Sequence, residues 1–206
     1  EEVRSLAARG IKEVNLVAQD TSRYGLDLYG AYRLPDLIHQ VCAVEGIHWV
    51  RILYCYPDRI TGELIAAMAS EPKVCKYIDI PVQHGSGKVL REMNRQGDRR
   101  SILDVVRRRR EGIPGVAIRT TMIAGFPGET EEDFAELQAL VAEGKFDRLG
   151  CFAYSQEEET PAGEREDQLP EELRRHRADL IMEQQAPIAF AIAQSQVGRT
   201  MEVLVE

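Results

Sequence analysis

Polar and aromatic side chains follow the hydrophobic stretches that the sequence predicts to be β-strands. These residues are Gln19 and Asp20, Tyr54 and Tyr56, Gln83 and His84, and Tyr154, Ser155 and Gln156. Functional groups of parallel α/β folds gather beyond the carboxyl ends of the strands, so we expect these side chains to share one rim. Amides and hydroxyls at a rim orient a polar ligand without carrying its chemistry. The sequence identifies no catalytic group among them.

The segment Gln83-His84-Gly85-Ser86-Gly87 places flexible backbone before a predicted helix. The free N–H groups at a helix start can bind a carboxylate or a phosphate. Arg95 lies beyond that helix, where it could return to the strand end and pair with a carboxylate. The alternative interpretation is a tight turn with a solvated Arg95. His84 could be a general base, but the sequence near it offers no acidic or nucleophilic partner.

Apolar residues lead from a predicted strand into the turn Gly125-Phe126-Pro127-Gly128-Glu129. A flat ring could lie against Ile123 and approach the backbone at Gly125, which has no Cβ. We expect Glu129 to hold the turn through backbone N–H groups rather than to catalyse.

Strand and helix patterns alternate along the chain, which predicts a parallel sheet with crossover helices. The predicted strands are residues 12–18, 48–54, 76–82, 116–124 and 148–154, and the predicted helices are residues 1–9, 34–45, 61–70, 87–95, 99–111, 131–143 and 170–195. Five βα units are too few for a closed eight-stranded barrel, and the GxGxxG fingerprint of dinucleotide-binding sheets is absent. We therefore predict an α/β fold, an open parallel βα barrel without its first strand, over residues 1–196. Residues 197–206 are predicted to begin a second, β-rich domain.

Composition narrows the possible functions. The chain has 206 residues, 44% of them hydrophobic, and a net charge of −8, which argues against broad binding to nucleic-acid phosphates. No apolar run approaches the roughly 20 residues that span a bilayer. The cysteines Cys42, Cys55, Cys75 and Cys151 are scattered singly, so we predict no metal site in this chain and a reducing, cytoplasmic location. Cys55, near a strand end, is the nearest candidate ligand.

Two motifs give the chain a family resemblance. Ile123 with Gly125-Phe126-Pro127-Gly128-Glu129-Thr130 resembles the fifth-strand motif of radical S-adenosylmethionine (SAM) enzymes, which lies against the adenine. Pro81-Val82-Gln83, with Gly85-Ser86 and Met93-Asn94-Arg95, resembles the fourth-strand region of the methylthiotransferases of that superfamily. The segments 16–25 and 150–158 are similar to the branch that acts on a ribosomal protein, and the likeness extends over the whole chain.

The resemblance implies a SAM site and a substrate-facing surface. By it, the SAM site would be formed by Gln19, Gln83, Arg95, Thr121, Ile123 and Gly125, and the substrate would be faced by Tyr54, His84, Tyr154 and Gln156. Thr121 stands where many relatives have an aspartate, so the contact with the ribose that the resemblance implies is not carried over unchanged to this position.

The resemblance also implies the reaction. In this family a [4Fe-4S] cluster cleaves SAM to a radical, a second cluster delivers sulfur, and another SAM supplies the methyl group. The expected product is a β-methylthiolated aspartate in a small-subunit ribosomal protein, with an electron donor as a further partner. The family's CxxxCxxC loop is absent here, so we expect a fragment that lacks the cluster ligands and has only the first strand of the C-terminal TRAM domain.

Three other functions remain open at this stage. The first is the same chemistry on a tRNA adenosine, against which the −8 charge argues. The second is a non-catalytic barrel fragment that only binds or folds. The third is an ordinary α/β-barrel hydrolase or lyase, which would need a nucleophile and base or paired carboxylates at the rim.

Overall fold

Five parallel strands form the framework of the computed structural model, which describes residues 1–205 apart from the side chain of Asp58. The strands are β1 (Glu13–Leu16), β2 (Trp49–Ile52), β3 (Tyr77–Asp79), β4 (Ala117–Ala124) and β5 (Arg148–Ala153). β1 pairs with β2, and β4 lies between β3 and β5. The parallel bridge Val50–Val74 and the hydrogen bond from Cys55 N to Asp79 O (3.0 Å) connect the two groups. The predicted open, parallel βα barrel is confirmed.

Helices connect the strands. They are α1 (Glu2–Ala8), α2 (Leu26–Tyr29), α3 (Leu34–Cys42), α4 (Gly62–Ser70), α5 (Gly87–Glu92), α6 (Arg99–Gly112), α7 (Glu131–Gly144) and α8 (Glu171–Gln194). Side chains at four of their starts accept backbone N–H groups that the helix leaves unpaired: Thr61, Ser86, Asp98 and Thr130. None of the helices in residues 1–205 is long and apolar enough to span a membrane.

Alternation along β4 separates the two faces of the sheet. Its buried residues Ile118, Met122 and Ala124 join one hydrophobic core with residues of the surrounding helices, including Leu137 of α7. The intervening side chains of β4 are only half-buried, because they point to the concave face, which the strands leave open. Ligand-binding side chains therefore have access on the concave face.

The strand predicted near the end of the chain is not formed. Residues 199–205 have no regular secondary structure, and they pair with none of the described strands. An alternating hydrophobic pattern gives a stable strand only when another strand accepts its hydrogen bonds. The division into residues 1–196 and 197–206 therefore stays a prediction.

Candidate functional site

Gln83 lies at the carboxyl rim, between two other residues of the predicted SAM site. Its N–H donates to Thr121 O (2.9 Å), and its carbonyl accepts from Ile123 N (2.8 Å). Thr121 and Ile123 are both half-buried on the concave face of β4. The structure thus brings together three residues that lie 38 and 40 positions apart in the sequence.

The backbone is strained at two rim positions. Tyr54 (φ 56°) and Gln83 (φ 70°) adopt the left-handed conformation, which side chains with a Cβ rarely take. Both follow the ends of consecutive strands, and Tyr54 is 42% exposed. Strained residues persist where the surrounding structure holds them, commonly at binding sites.

Arg95 returns to the strand end, which is one of the two alternatives that the sequence left open. After α5 the backbone reverses at Asn94 (φ 55°), and Arg95 N donates to Leu90 O (2.7 Å), as in a Schellman motif. The guanidinium of Arg95 then donates to Pro81 O (3.3 Å) and lies over the Tyr56 ring, 4.9 Å from its centroid. Among the described residues no carboxylate pairs with Arg95, which leaves its charge available to an anionic ligand.

Gln19 is exposed in the loop after β1. The next residues fasten that loop to the end of β2: Thr21 N donates to Tyr54 O (3.0 Å), and Thr21 Oγ1 donates to Leu53 O (2.5 Å). Gln19 therefore belongs to the same rim, but no hydrogen bond among the described residues joins it to Gln83 or Arg95.

Glu129 holds the glycine turn, as the sequence predicts. Its wholly buried carboxylate accepts from Gly125 N (2.8 Å), from His84 Nε2 (3.1 Å) and from Arg177 Nη1 of α8 (2.8 Å). The Arg177 side chain is only 3% exposed, so a buried ion pair fixes this turn to the last helix.

His84 occupies a different place from the one expected. Its Nδ1 accepts from Ser86 N (2.9 Å), so Nε2 carries the proton that is donated to Glu129. The side chain is 0% exposed. His84 therefore does not face the open side in this structure. Its acidic partner, Glu129, lies 45 residues further along the sequence, which local spacing could not show.

Gly125 is also more enclosed than the sequence suggests. A Cβ at this position would lie 2.4 Å from Arg174 Cγ, so α8 covers the side of the glycine that lacks a side chain. A ring that lies against Ile123 could meet the Gly125 backbone only from the concave face. The glycine is needed both for its positive φ (79°) and for the close approach of α8.

Tyr154 and Gln156 are the two remaining residues that were predicted to face the substrate. Tyr154 directly follows β5, and Gln156 lies in the loop after it. The Tyr154 ring packs edge-on against Phe126, 5.4 Å between centroids, and lies near the Arg174 guanidinium. Gln156 is exposed, and its amide donates to Gly163 O (2.7 Å) within the same loop. Among the described residues, no hydrogen bond joins either side chain to Gln83 or Tyr54.

The cysteines do not form a metal site. Burial raises the pKa of the Cys42 thiol to about 11 and those of Cys55 and Cys151 to about 12. In residues 1–205 no group of three or more His, Cys, Asp or Glu residues is arranged to hold a metal ion. The residues present do not fit an iron–sulfur cluster.

Sequence reasoning missed several residues that organise the site. Arg177 secures Glu129, and the buried Arg109 of α6 donates to Pro57 O (3.2 Å) and Ile60 O (3.0 Å) in the loop after β2. Asp79, 1% exposed, pairs with Arg119 (3.1 Å) on the concave face. The only local signal that could have identified Asp79 is its charge at a strand position that is expected to be buried.

Comparisons with known proteins agree with this geometry. The model of the Radical SAM superfamily matches residues 1–141. Ribosomal protein uS12 methylthiotransferase RimO of Desulfitobacterium hafniense is 54% identical over 205 residues, and the proteins of the same name from Heliobacterium modesticaldum and Geobacter sulfurreducens are 51% and 49% identical. These matches cover 100% of this chain but 45–46% of the relatives, so the chain spans about half their length.

Two solved structures share the fold. Coproporphyrinogen III oxidase (HemN) from Escherichia coli, a radical SAM enzyme, superposes with a TM-score of 0.62 at 20% identity, covering 94% of this chain and 44% of that one. The radical SAM methyltransferase TsrM from Kitasatospora setae gives a TM-score of 0.58 at 20% identity, covering 79% and 31%. At this identity the likeness concerns the fold alone.

Proposed function

The chain belongs to the radical SAM superfamily, and we propose that the protein that carries it adds a methylthio group to the β-carbon of an aspartate in ribosomal protein uS12. The observation that carries the proposal is the 54% identity to a uS12 methylthiotransferase across the full length of this chain. Because the chain spans about half of such relatives, the activity, the uS12 substrate and the electron donor are proposed for the whole protein.

The donor groups at the rim fit SAM. No described group bonds the side-chain amide of Gln83, and no described carboxylate pairs with Arg95. An amide and a guanidinium suit the polar and carboxylate groups of SAM, while Ile123 offers an apolar surface to its adenine. We propose that these three side chains, with Thr121 and Gln19 beside them, hold SAM. When bound, SAM supplies the hydrogen-abstracting radical and the transferred methyl group.

The iron–sulfur chemistry is assigned to residues outside this chain. The four cysteines here do not fit a cluster, so we derive no step through one from the described residues. We propose that both [4Fe-4S] clusters are held by other parts of the whole protein. This chain would bind and orient SAM next to them and present an open rim to the substrate.

Mass spectrometry of uS12 tests the proposal. The full-length protein, purified anaerobically, is incubated with uS12, SAM and a reductant. We expect one aspartate of uS12 to gain the mass of a methylthio group. A modified tRNA adenosine with unmodified uS12 would identify the tRNA-acting alternative instead, and modification of neither substrate would overturn the proposal.

A matched pair of variants tests the assignment of the SAM site. Gln83→Ala should weaken SAM binding about two- to tenfold, the loss expected for one hydrogen bond. Gln40→Ala, on the exposed surface of α3, should bind SAM as the wild type does. Isothermal titration with SAM measures both, and equal affinities for the two variants would remove Gln83 from the site.

A further inference from the structure

Two guanidinium groups contact the Tyr56 ring at the rim. The Arg95 Cζ lies 4.9 Å from the centroid of the Tyr56 ring, and the Arg59 Cζ lies 5.5 Å from it. The face of an aromatic ring carries negative electrostatic potential, so each contact is an attractive cation–π interaction. The three side chains come from two separate loops, the one after β2 and the one after α5.

The backbone fixes where the Tyr56 ring stands. Tyr56 is extended (φ −71°, ψ 136°), and Pro57 directly after it starts a short 3-10 turn. From behind, the buried Arg109 donates to the carbonyls of Pro57 (3.2 Å) and Ile60 (3.0 Å). A buried charge with several hydrogen bonds gives little freedom to the loop that it holds. The backbone that carries the Tyr56 ring is therefore held in place at the rim.

The two arginines, Arg59 and Arg95, differ in whether a carboxylate neutralises their charge. Arg59 forms a salt bridge with Asp20 in the loop after β1. Arg95 has no carboxylate partner among the described residues, and its polar contact is one long hydrogen bond to Pro81 O (3.3 Å). The ring thus contacts one cation that is paired with a carboxylate and one that has no carboxylate partner among the described residues.

We propose that Tyr56 is a positioning residue that holds the Arg95 guanidinium ready for the carboxylate of SAM. The identity of this ligand rests on the proposed function, whereas the arrangement of Tyr56 and Arg95 is a feature of the described structure. An arginine side chain loses about 2 kcal/mol of conformational freedom when it is fixed. If the ring restricts the guanidinium before SAM binds, less conformational entropy is lost on binding. The affinity of the protein for SAM is then higher.

The test compares two ligands on full-length protein with its clusters, without reductant so that no turnover occurs. Tyr56→Leu removes the ring, and we expect SAM to bind about three- to thirtyfold more weakly, the range for a partly desolvated cation–π contact. Tyr56→Phe keeps the ring face and should bind SAM within about twofold of the wild type. Binding of 5′-methylthioadenosine, which lacks the carboxylate, should not change in either variant.

Two controls separate positioning from a general structural effect. Tyr32→Leu makes the same substitution at an exposed tyrosine before α3, and it should leave the SAM affinity unchanged. In an Arg95→Ala background, Tyr56→Leu should alter SAM binding less than about twofold, because the group that it positions is gone.

Each outcome has a distinct meaning. Equal SAM affinity in the Tyr56→Leu variant and the wild type overturns the positioning role and leaves the proposed function standing. Equal weakening of SAM and 5′-methylthioadenosine also overturns it, because the effect would then not pass through the carboxylate. A wild-type protein that binds no SAM overturns the proposed function, and the positioning role falls with it.

Discussion

Single residues at the rim combine strain with ligand-binding groups. Gln83 has φ 70° and a side-chain amide without a described partner, and Tyr54 has φ 56° after the preceding strand. A side chain with a Cβ in this conformation costs about 1–2 kcal/mol. Glycine would adopt this conformation at position 83 without strain, but it has no side chain to bind a ligand. A ligand-binding role for the amide would therefore explain why glutamine is present there.

Two substitutions at Gln83 separate backbone strain from ligand binding. Gln83→Gly relieves the left-handed strain and should raise the free energy of unfolding by about 1 kcal/mol while weakening SAM binding. Gln83→Ala keeps the Cβ, so it should weaken binding without raising stability. Urea unfolding and SAM titration measure the two effects. A Gln83→Gly protein no more stable than Gln83→Ala would show that the backbone is not strained.

The buried ion pair between Glu129 and Arg177 allows a second prediction at this scale. Glu129→Gln removes the charge that compensates a side chain only 3% exposed, so the free energy of unfolding should fall by about 3 kcal/mol. Glu131→Gln is the matched control, because Glu131 pairs with the same Arg177 but has a side chain 77% exposed. It should cost less than about 1 kcal/mol. Equal costs for both variants in urea unfolding would contradict this account.

At the scale of elements, α5 and α7 are joined by polar contacts at their starts. Ser86, which caps α5, donates to Asp133 Oδ1 (2.6 Å), and Lys88 donates to Asp133 Oδ2 (2.9 Å). Asp133 and Thr130 also form a capping box at the start of α7. One carboxylate therefore stabilises two helices that follow successive rim segments.

The pH dependence of stability tests the Asp133 contacts. Burial raises the pKa of the Asp133 carboxyl, but hydrogen bonds from Ser86, Thr130 and Lys88 outweigh it and hold the pKa below its usual range. A lowered folded-state pKa stabilises the fold above the unfolded value of about 4, and this contribution is lost as the pH falls towards the folded value.

Asp133→Asn should therefore lower the free energy of unfolding at pH 7 and flatten its fall below about pH 4. Asp27→Asn, at the exposed helix α2, should leave both unchanged. Urea unfolding across a pH series measures the curves. An Asp133→Asn curve parallel to that of the wild type would contradict the assignment.

The sequence predicted elements better than long-range contacts. Capping residues and apolar periodicity placed the helix 131–143 within one residue of the observed α7, because both signals are local. The strand 76–82 was predicted too long, since regular pairing covers only Tyr77–Asp79 before the chain turns into the rim. Residues 197–206 were predicted to begin a β-rich domain, but residues 199–205 form no strand, because strand formation depends on a partner, which no local pattern reports.

Over the whole molecule, the concave face carries paired charges, whereas the proposed SAM-binding side chains lie at its carboxyl rim. Along the strands, Arg51 pairs with Glu13 (2.7 Å) and lies over the Tyr77 ring, while Arg119 pairs with Asp79. These contacts connect β1 to β4, and each ion pair neutralises the charges of its two members. The amide of Gln83 and the guanidinium of Arg95, which pairs with no carboxylate among the described residues, lie at the carboxyl rim, where parallel βα barrels bind their ligands.

The composition of the site predicts what this chain does alone. The proposed site offers donors for SAM, and residues 1–205 contain no group of side chains arranged to hold a metal ion, so the 206-residue chain should bind SAM weakly and release no 5′-deoxyadenosine when SAM and reductant are added. Liquid chromatography of the reaction mixture measures the product. Release of 5′-deoxyadenosine by this chain would refute the assignment of the cluster ligands to other parts of the protein.

The most direct test of the account is a transplant into a relative. In the uS12 methylthiotransferase of Desulfitobacterium hafniense, the matching segment is replaced by this chain, to which it is 54% identical. Mass spectrometry of uS12 then reports the activity of the chimera. The account predicts a methylthiolated aspartate, and its loss when Gln83 is also changed to alanine. A chimera that folds and holds its clusters but leaves uS12 unmodified would contradict it.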